Sequence, residues 1–211
     1  MYAKKVVYVP GVGIDTTLFA PKEGDVAINA CKREELGLSN EDIVMLSVGE
    51  LNKNKNYEIV LRAMAQLGRK DLHYVIAGRG VLKEYLEQLA QELGISSQLH
   101  LLGFRTDVKE LFKMADFFAH PSFREGLSVA VMETMANGLP IICSEIRGNT
   151  DLIEENKGGY LFKPAEPDTA YKALKSVMES SDAKSLGQYN KKKAENLDIK
   201  AVLKIMEEIY A

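Results

Sequence analysis

Short apolar runs alternate with helical stretches along most of this 211-residue chain, and that alternation limits the possible folds more than any single motif does. The runs are "KVVYVP" (Lys5–Pro10), "DIVMLSVG" (Asp42–Gly49), "LHYVIAG" (Leu72–Gly78), "QLHLLG", "DFFAHP", "PIICS" and "GGYLF" (Gly158–Phe162). A strand with one wet face alternates apolar and polar residues, whereas a strand that is continuously apolar is covered on both faces, as in parallel sheets. Between the runs, "YEIVLRAMAQLG" puts Ile59, Val60, Ala63, Met64 and Leu67 at helical spacing. "VLKEYLEQLAQELG" is amphipathic and ends at Gly94, the residue type favoured just past a helix. "DVKELFKMA" and "SVAVMETMANG" read as further helices, and after Pro167 the pattern is helical in three pieces, 168–180, 182–195 and 198–210. The order predicts an α/β fold: a Rossmann-like, doubly wound parallel sheet with C-terminal helices, in a single domain over 1–211.

Composition removes several function classes. At 46% hydrophobic and 27% charged the chain has an ordinary globular balance. Its net charge of −3 offers no basic face, so a nucleic-acid partner is not expected. Cys31 and Cys143 are far apart and lack metal-ligand spacing, which fits a reduced, cytoplasmic compartment better than a disulfide framework. No apolar run approaches the ~20 residues that cross a bilayer. The start, "MYAKKVVYVPGVG", has no signal-peptide core. There is no Ser-His-Asp array and no HExxH, and no metal site is expected.

In doubly wound sheets ligands sit outside the carboxyl ends of the strands. That directs attention to the loops at Gly11–Asp15, Gly49–Asn56, Gly78–Val81, Gly103–Asp107, His120–Ser128 and Ser144–Thr150. In "SFREGLS" a helix starting near Leu127 or Ser128 would aim its first free N–H groups at an anion. Gly126 would let the backbone approach that ligand closely, and Glu125 at the rim would accept from sugar hydroxyls rather than bind phosphate. Glu133 lies in a run otherwise made of Val, Ala, Met and Thr, where an ionised carboxylate costs several kcal/mol unless it is paired. A vicinal diol such as a ribose would satisfy it. The alternative is a solvent-facing acid or one held by a lysine. Lys53 and Lys55 are either solvated loop lysines or point charges within reach of a diphosphate. Arg79, between two glycines in "AGRG", is a turn residue or a ligand contact. The loop with Phe104, Arg105 and Asp107 either presents itself to a nucleobase or caps a helix through Thr106 or Asp107. His120, at a strand end beside the Glu125 loop, is placed to touch a ligand, whereas His73 and His100 read as structural.

"HPSFREGLSVAVMETMANGLPIICSEIRGNTDLI" resembles the donor-sugar signature of the family-4 (group 1) retaining glycosyltransferases, whose hallmark is E-x7-E after a "PS" strand end. "SVGELNKNKN", "GFRTDV", "GGYLF" and "VPGVGIDTTLF" match further family segments in the same order. The resemblance implies one half of a GT-B fold, the C-terminal, nucleotide-sugar-binding half, without the N-terminal acceptor domain. It implies that Glu125 contacts the transferred sugar and that Lys55 binds phosphate and stabilises the leaving group. The backbone of Gly126, Leu127 and Ser128 would hold the diphosphate, Glu133 the ribose, and the Phe104–Asp107 loop the base. Glu50 stands where the family often has arginine, which leaves a second phosphate cation to Lys53, Arg79 or Arg124. The implied reaction moves a hexose or N-acetylhexosamine from a nucleotide-diphosphate sugar to a glycan or lipid-linked acceptor, as in capsular or exopolysaccharide synthesis. No cofactor is implied, the location is cytoplasmic or peripheral to the inner membrane face, and the isolated chain is expected to be inactive. The competing expectation is a non-catalytic nucleotide-binding or interaction module on the same scaffold.

Overall fold

The computed structural model describes residues 11–210; the expected strand at Lys5–Pro10 lies outside them. Six strands form one parallel sheet: β1 (Ile43–Val48), β2 (Leu72–Ala77), β3 (Leu99–Gly103), β4 (Phe117–His120), β5 (Ile141–Ser144) and β6 (Gly159–Phe162), in the order β3-β2-β1-β4-β5-β6. Each falls within one residue of an apolar run read from the sequence, or inside it. The continuous apolar character has the expected cause. Within β1, Met45 joins one core while Val44 and Leu46 join the other, so both faces of the strand are covered.

The helices in chain order are α1 (Thr16–Phe19), α2 (Asp25–Glu35), α3 (Tyr57–Leu67), α4 (Lys83–Glu92), α5 (Val108–Met114), α6 (Val129–Asn137), α7 (Arg147–Thr150), α8 (Pro167–Glu179), α9 (Ala183–Ala194) and α10 (Ile199–Tyr210). One core lies between the sheet and α3, α4 and α8; the other lies between the sheet and α5, α6 and the end of α9. Gly94 takes the left-handed conformation just beyond α4, as a helix stop requires. The chain order β3-β2-β1 followed by β4-β5-β6 reverses direction between β1 and β4, and in such sheets a crevice opens at that reversal on the carboxyl edge.

The stretch from residue 20 to 41 gave no helical signal, yet it carries α2. Polar contacts hold this helix in place. Arg33, only 5% exposed, donates to the carbonyls of Ser39, Asp42 and Met114 at 3.2, 2.6 and 3.0 Å and to Asp116 Oδ2 at 2.9 Å. Lys113 pairs with Asp25 at 2.6 Å from the facing α5. Arg33→Met is expected to lower the unfolding free energy by about 2–4 kcal/mol, because buried acceptors lose their donor. Urea unfolding reads this as an earlier midpoint at unchanged slope. A loss under ~1 kcal/mol would mean that the clamp is not what fixes α2.

At the other end of the described residues, Ile14 forms a bridge with Asp198, with Ile14 N donating to Leu197 O at 3.0 Å and Ile199 N to Ile14 O at 2.8 Å. Along α10, Val202 is buried while Ile199 and Leu203 are exposed.

Candidate functional site

Three loops meet at the middle of the carboxyl edge, after β1, β4 and β5. The first two are tied together: Phe123 N donates to Asn54 O at 2.8 Å, and Asn54 Nδ2 donates to Arg124 O at 2.9 Å. Lys55 ends a short 3-10 turn, Lys53–Lys55, where Asn52 Oδ1 accepts from Lys55 N at 3.1 Å. Asn56 then turns through a left-handed conformation into α3. This geometry brings Lys55 Nζ to 2.6 Å from Glu125 Oε1.

His120 Nε2 faces the same oxygen at 3.6 Å, beyond hydrogen-bond range, from a buried ring at the end of β4. Burial pushes the His120 pKa down, so the ring is neutral near pH 7. The His120 ring and then the Lys55 ammonium hold the Glu125 carboxyl down at about 2, against partial burial. Of these contacts Lys55 is the one at bonding distance, and we assign it the main share. The result is a fixed carboxylate–ammonium pair at the crevice.

From Glu125 the chain turns at exposed Gly126 and enters α6 through Ser128, whose Oγ accepts from Val131 N at 3.4 Å. A side chain on Gly126 would meet nothing among the described residues, so their sterics do not demand glycine there. The glycine that the turn does require is Gly148, in α7. A Cβ on Gly148 would stand 1.7 Å from Gly126 O and 2.8 Å from Glu125 O. Gly148→Ala is expected to displace the 125–126 turn and to destabilise the fold by about 1–3 kcal/mol, the usual range for overpacking. Thermal melting reads the stability and nucleotide binding reads the turn; a variant unchanged in both would disprove the contact.

Glu133 lies five residues past Ser128, about one and a half turns along α6. It is half-buried, has no hydrogen-bond or ion-pair partner among the described residues, and burial alone raises its pKa to about 7. The alternative in which a lysine satisfies it is therefore absent.

Towards the other side, a cavity of about 370 Å³ crosses the ends of β1, β2 and β3, lined among others by Glu50, Arg79, Phe104 and Arg105. Arg105 is not free: it bonds Asp107 at 2.5–2.7 Å and Glu35 at 2.8 Å, and Lys32 reaches Asp107 at 2.6 Å. These bonds, with that of Arg105 first, hold the Asp107 carboxyl far below its ordinary range. Asp107 occupies the N-cap position of α5, but its carboxylate serves the arginine rather than the helix. Phe104 projects from the same loop, 69% exposed. Leu127 is half-buried against the α6 core. Lys53 is exposed and lines a separate cavity of about 590 Å³ between α3, α4 and the 164–167 loop. Arg124 is exposed, and among the described residues only its carbonyl is engaged. The structure thus brings together Lys55, Glu125, Gly126, Ser128 and His120; Lys53 stands apart from them.

The chain matches the family model described as glycosyl transferases group 1 over residues 30–193. It belongs to that family. Among relatives of this group 1 domain, the N-acetylgalactosamine-N,N'-diacetylbacillosaminyl-diphospho-undecaprenol 4-alpha-N-acetylgalactosaminyltransferase of Campylobacter jejuni is 32% identical over 167 residues, covering 76% of this chain and 46% of that protein. The UDP-Gal:alpha-D-GlcNAc-diphosphoundecaprenol alpha-1,3-galactosyltransferase of Escherichia coli is 32% identical over 182 residues, covering 83% and 46%. The chain spans about half the length of the curated relatives it matches. Among solved structures, Anabaena HepE in complex with UDP superposes with a TM-score of 0.85 at 22% identity, over 94% of this chain and 55% of that one. The shared fold is one Rossmann-like half of the GT-B architecture.

This edge also holds polar groups that no motif named. Tyr57 Oη, His120 Nε2, Ser122 Oγ, Ser144 Oγ and Asn149 Oδ1 are buried along this edge without a hydrogen-bond partner among the described residues. Buried polar atoms are paired in the large majority of cases, so a group of unpaired ones on one edge marks that edge as a place for polar ligand groups. His120, at a strand end, is singled out by the sequence, and Ser122, Ser144 and Asn149 lie in loops expected to face a ligand; Tyr57 carries no such signal.

Proposed function

We propose that this chain is the nucleotide-sugar-binding half of a retaining glycosyltransferase. In this reading the full enzyme moves a hexose or N-acetylhexosamine to a glycan or lipid-linked acceptor, in capsular or exopolysaccharide synthesis, with no cofactor. Glu133 carries the reading. A half-buried carboxylate with no partner among the described residues, just beyond the open start of a helix, matches the two O–H donors of a ribose whose phosphates cap that helix. The N–H groups at Gly126, Leu127 and Ser128 hold the diphosphate, and Lys55 offsets the charge that grows on it as the glycosidic bond breaks. Glu125, oriented by Lys55, accepts from hydroxyls of the transferred sugar. Arg124 supplies outer positive charge, and the Phe104–Asp107 loop borders the base, with Arg105 and Asp107 stiffening it. The acceptor attacks the face that the diphosphate leaves, so configuration is kept.

The binding of UDP by HepE and the diphospho-undecaprenol substrates named for the two relatives support a nucleotide-sugar donor and a lipid-linked acceptor. No helix among the described residues is long and apolar enough to cross a membrane. A cytoplasmic protein, peripheral to the inner membrane face, suits that acceptor. An N-terminal partner domain supplies the acceptor site, and the chain alone binds donor without turnover. Calorimetry with UDP, UDP-GlcNAc and GDP tests the reading: at least one should bind in the micromolar to low millimolar range. Absence of binding by all three would remove it.

A further inference from the structure

His120 borders Glu125, yet none of the contacts assigned to sugar, ribose or diphosphate falls to it. Its ring is 2% exposed at the end of β4 and stacks on Phe118, with centroids 6.3 Å apart and planes 14° from parallel. Nε2 has no hydrogen-bond partner among the described residues and faces Glu125 Oε1 from 3.6 Å. Buried ring nitrogens are seldom left unpaired, because the lost hydration is not replaced. The charged groups that act on the ring are Glu125 and Lys55. Cys143, its register partner on β5, keeps a neutral thiol because burial raises its pKa.

Glu125 Oε1 is thus approached from two sides, by Lys55 Nζ at 2.6 Å and by His120 Nε2 at 3.6 Å. Oε2 takes no hydrogen bond among the described residues. Facing a carboxylate, Nε2 carries the ring's one proton, since a bare nitrogen would set lone pair against lone pair. His120 is then a neutral N–H donor standing ~0.7 Å short of a hydrogen bond of ordinary length. Burial keeps it neutral. A second ammonium in this place would compete for the diphosphate, whereas a neutral ring does not.

Lys55 has two partners to serve in the donor-binding reading, Glu125 and the diphosphate. An ammonium drawn to the diphosphate loosens its hold on Oε1, most of all as charge grows on the leaving group. We propose that His120 is a positioning residue that takes over Oε1 from Lys55: as Nζ turns to the diphosphate, the Nε2–H closes on Oε1 and keeps Oε2 aimed at the sugar. The exchange moves hydrogen bonds and no proton. The inference rests on the donor-binding reading above.

The test combines magnetic resonance and calorimetry on the chain with UDP as the probe. Three histidines give few imidazole N–H signals, and loss of one in His120→Phe or His120→Gln identifies that of His120. On adding UDP to the parent, the His120 Nε2 proton is expected to move downfield and exchange more slowly with water, as a bond to a carboxylate forms. UDP affinity should fall about 5–20-fold in His120→Phe, which keeps a ring against Phe118 but has no donor. In His120→Gln, whose amide places a donor near the Nε2 position, it should return to within about threefold of the parent. In a Lys55→Ala background the loss on adding His120→Phe should shrink below about twofold, because no ammonium leaves Oε1 when UDP arrives. Thermal melting of each variant checks that it is folded. Equal losses in both backgrounds would make His120 a packing residue and overturn the proposal. UDP binding that leaves the His120 proton unmoved, read on the parent itself, would also overturn it while the donor-binding reading stands. Failure of UDP to bind would remove both.

Discussion

Lys55→Ala is expected to lower UDP affinity of the chain about 10–100-fold, the usual worth of one charge-assisted contact to a diphosphate. Turnover in a two-domain protein carrying this chain should fall further, about 10²–10³-fold, because the ammonium matters most as charge moves onto the leaving diphosphate. The position is fixed from three sides: Asn52 caps the short turn, Asn56 turns the chain out of it, and Glu125 holds Nζ at 2.6 Å. The substitution also leaves Glu125 without its cation, so its carboxyl should titrate well above the present value of about 2. Lys55→Arg serves as the control, since it keeps the charge while changing its reach, and should recover part of the affinity but less of the turnover. UDP affinity and turnover both within twofold of the parent would exclude Lys55 from the phosphate site.

Glu133→Gln should separate stability from function. The carboxyl titrates at about 7 in the folded chain against an ordinary 4.5, so the folded state holds the proton more tightly. Stability that is present below about pH 4.5 is then lost progressively as pH rises to about 7, and stays level above it. The full shift would correspond to about 3 kcal/mol, but the group is partly solvated, and screening reduces the expected loss to about 1–2 kcal/mol. The Gln variant carries no such penalty. Its melting temperature should exceed that of the parent at pH 8 and match it near pH 4.5. Nucleotide affinity at pH 8 should move the other way, falling about 10–100-fold as two hydroxyl bonds to a charged acceptor are weakened. In the parent, UDP affinity should climb between about pH 5.5 and 7.5 as the carboxylate forms, and that slope should vanish in the variant. A variant that is both no more stable and no weaker in binding would show Glu133 to be an ordinary surface acid. Such an exchange of stability for binding is the common pattern where a site keeps a costly group ready for its ligand.

The sequence by itself determined the layers and the edge. Strands covered on both faces must be apolar throughout, so "DIVMLSVG" and "LHYVIAG" declared a buried parallel sheet, and the sheet in turn fixed which loops could hold a ligand. The E-x7-E segment was legible for the same local reason: strand, turn and helix follow one another within about 20 residues, and helical geometry sets the offset from Ser128 to Glu133. Tertiary structure decided what depends on contacts between distant segments. The pairing of Lys55 with Glu125 joins residues 70 positions apart, and no periodicity encodes it. α2 escaped notice because Arg33 and Asp25 anchor it through polar bonds, while the pattern of apolar residues is the signal a sequence displays. Gly148 and Gly78 look like turn residues until the chain folds; only then do Gly126 O and Gly49 O approach close enough to forbid a Cβ. Periodicity records which side of an element is buried, but a fixed carboxylate or an obligatory glycine exists only where separate segments meet.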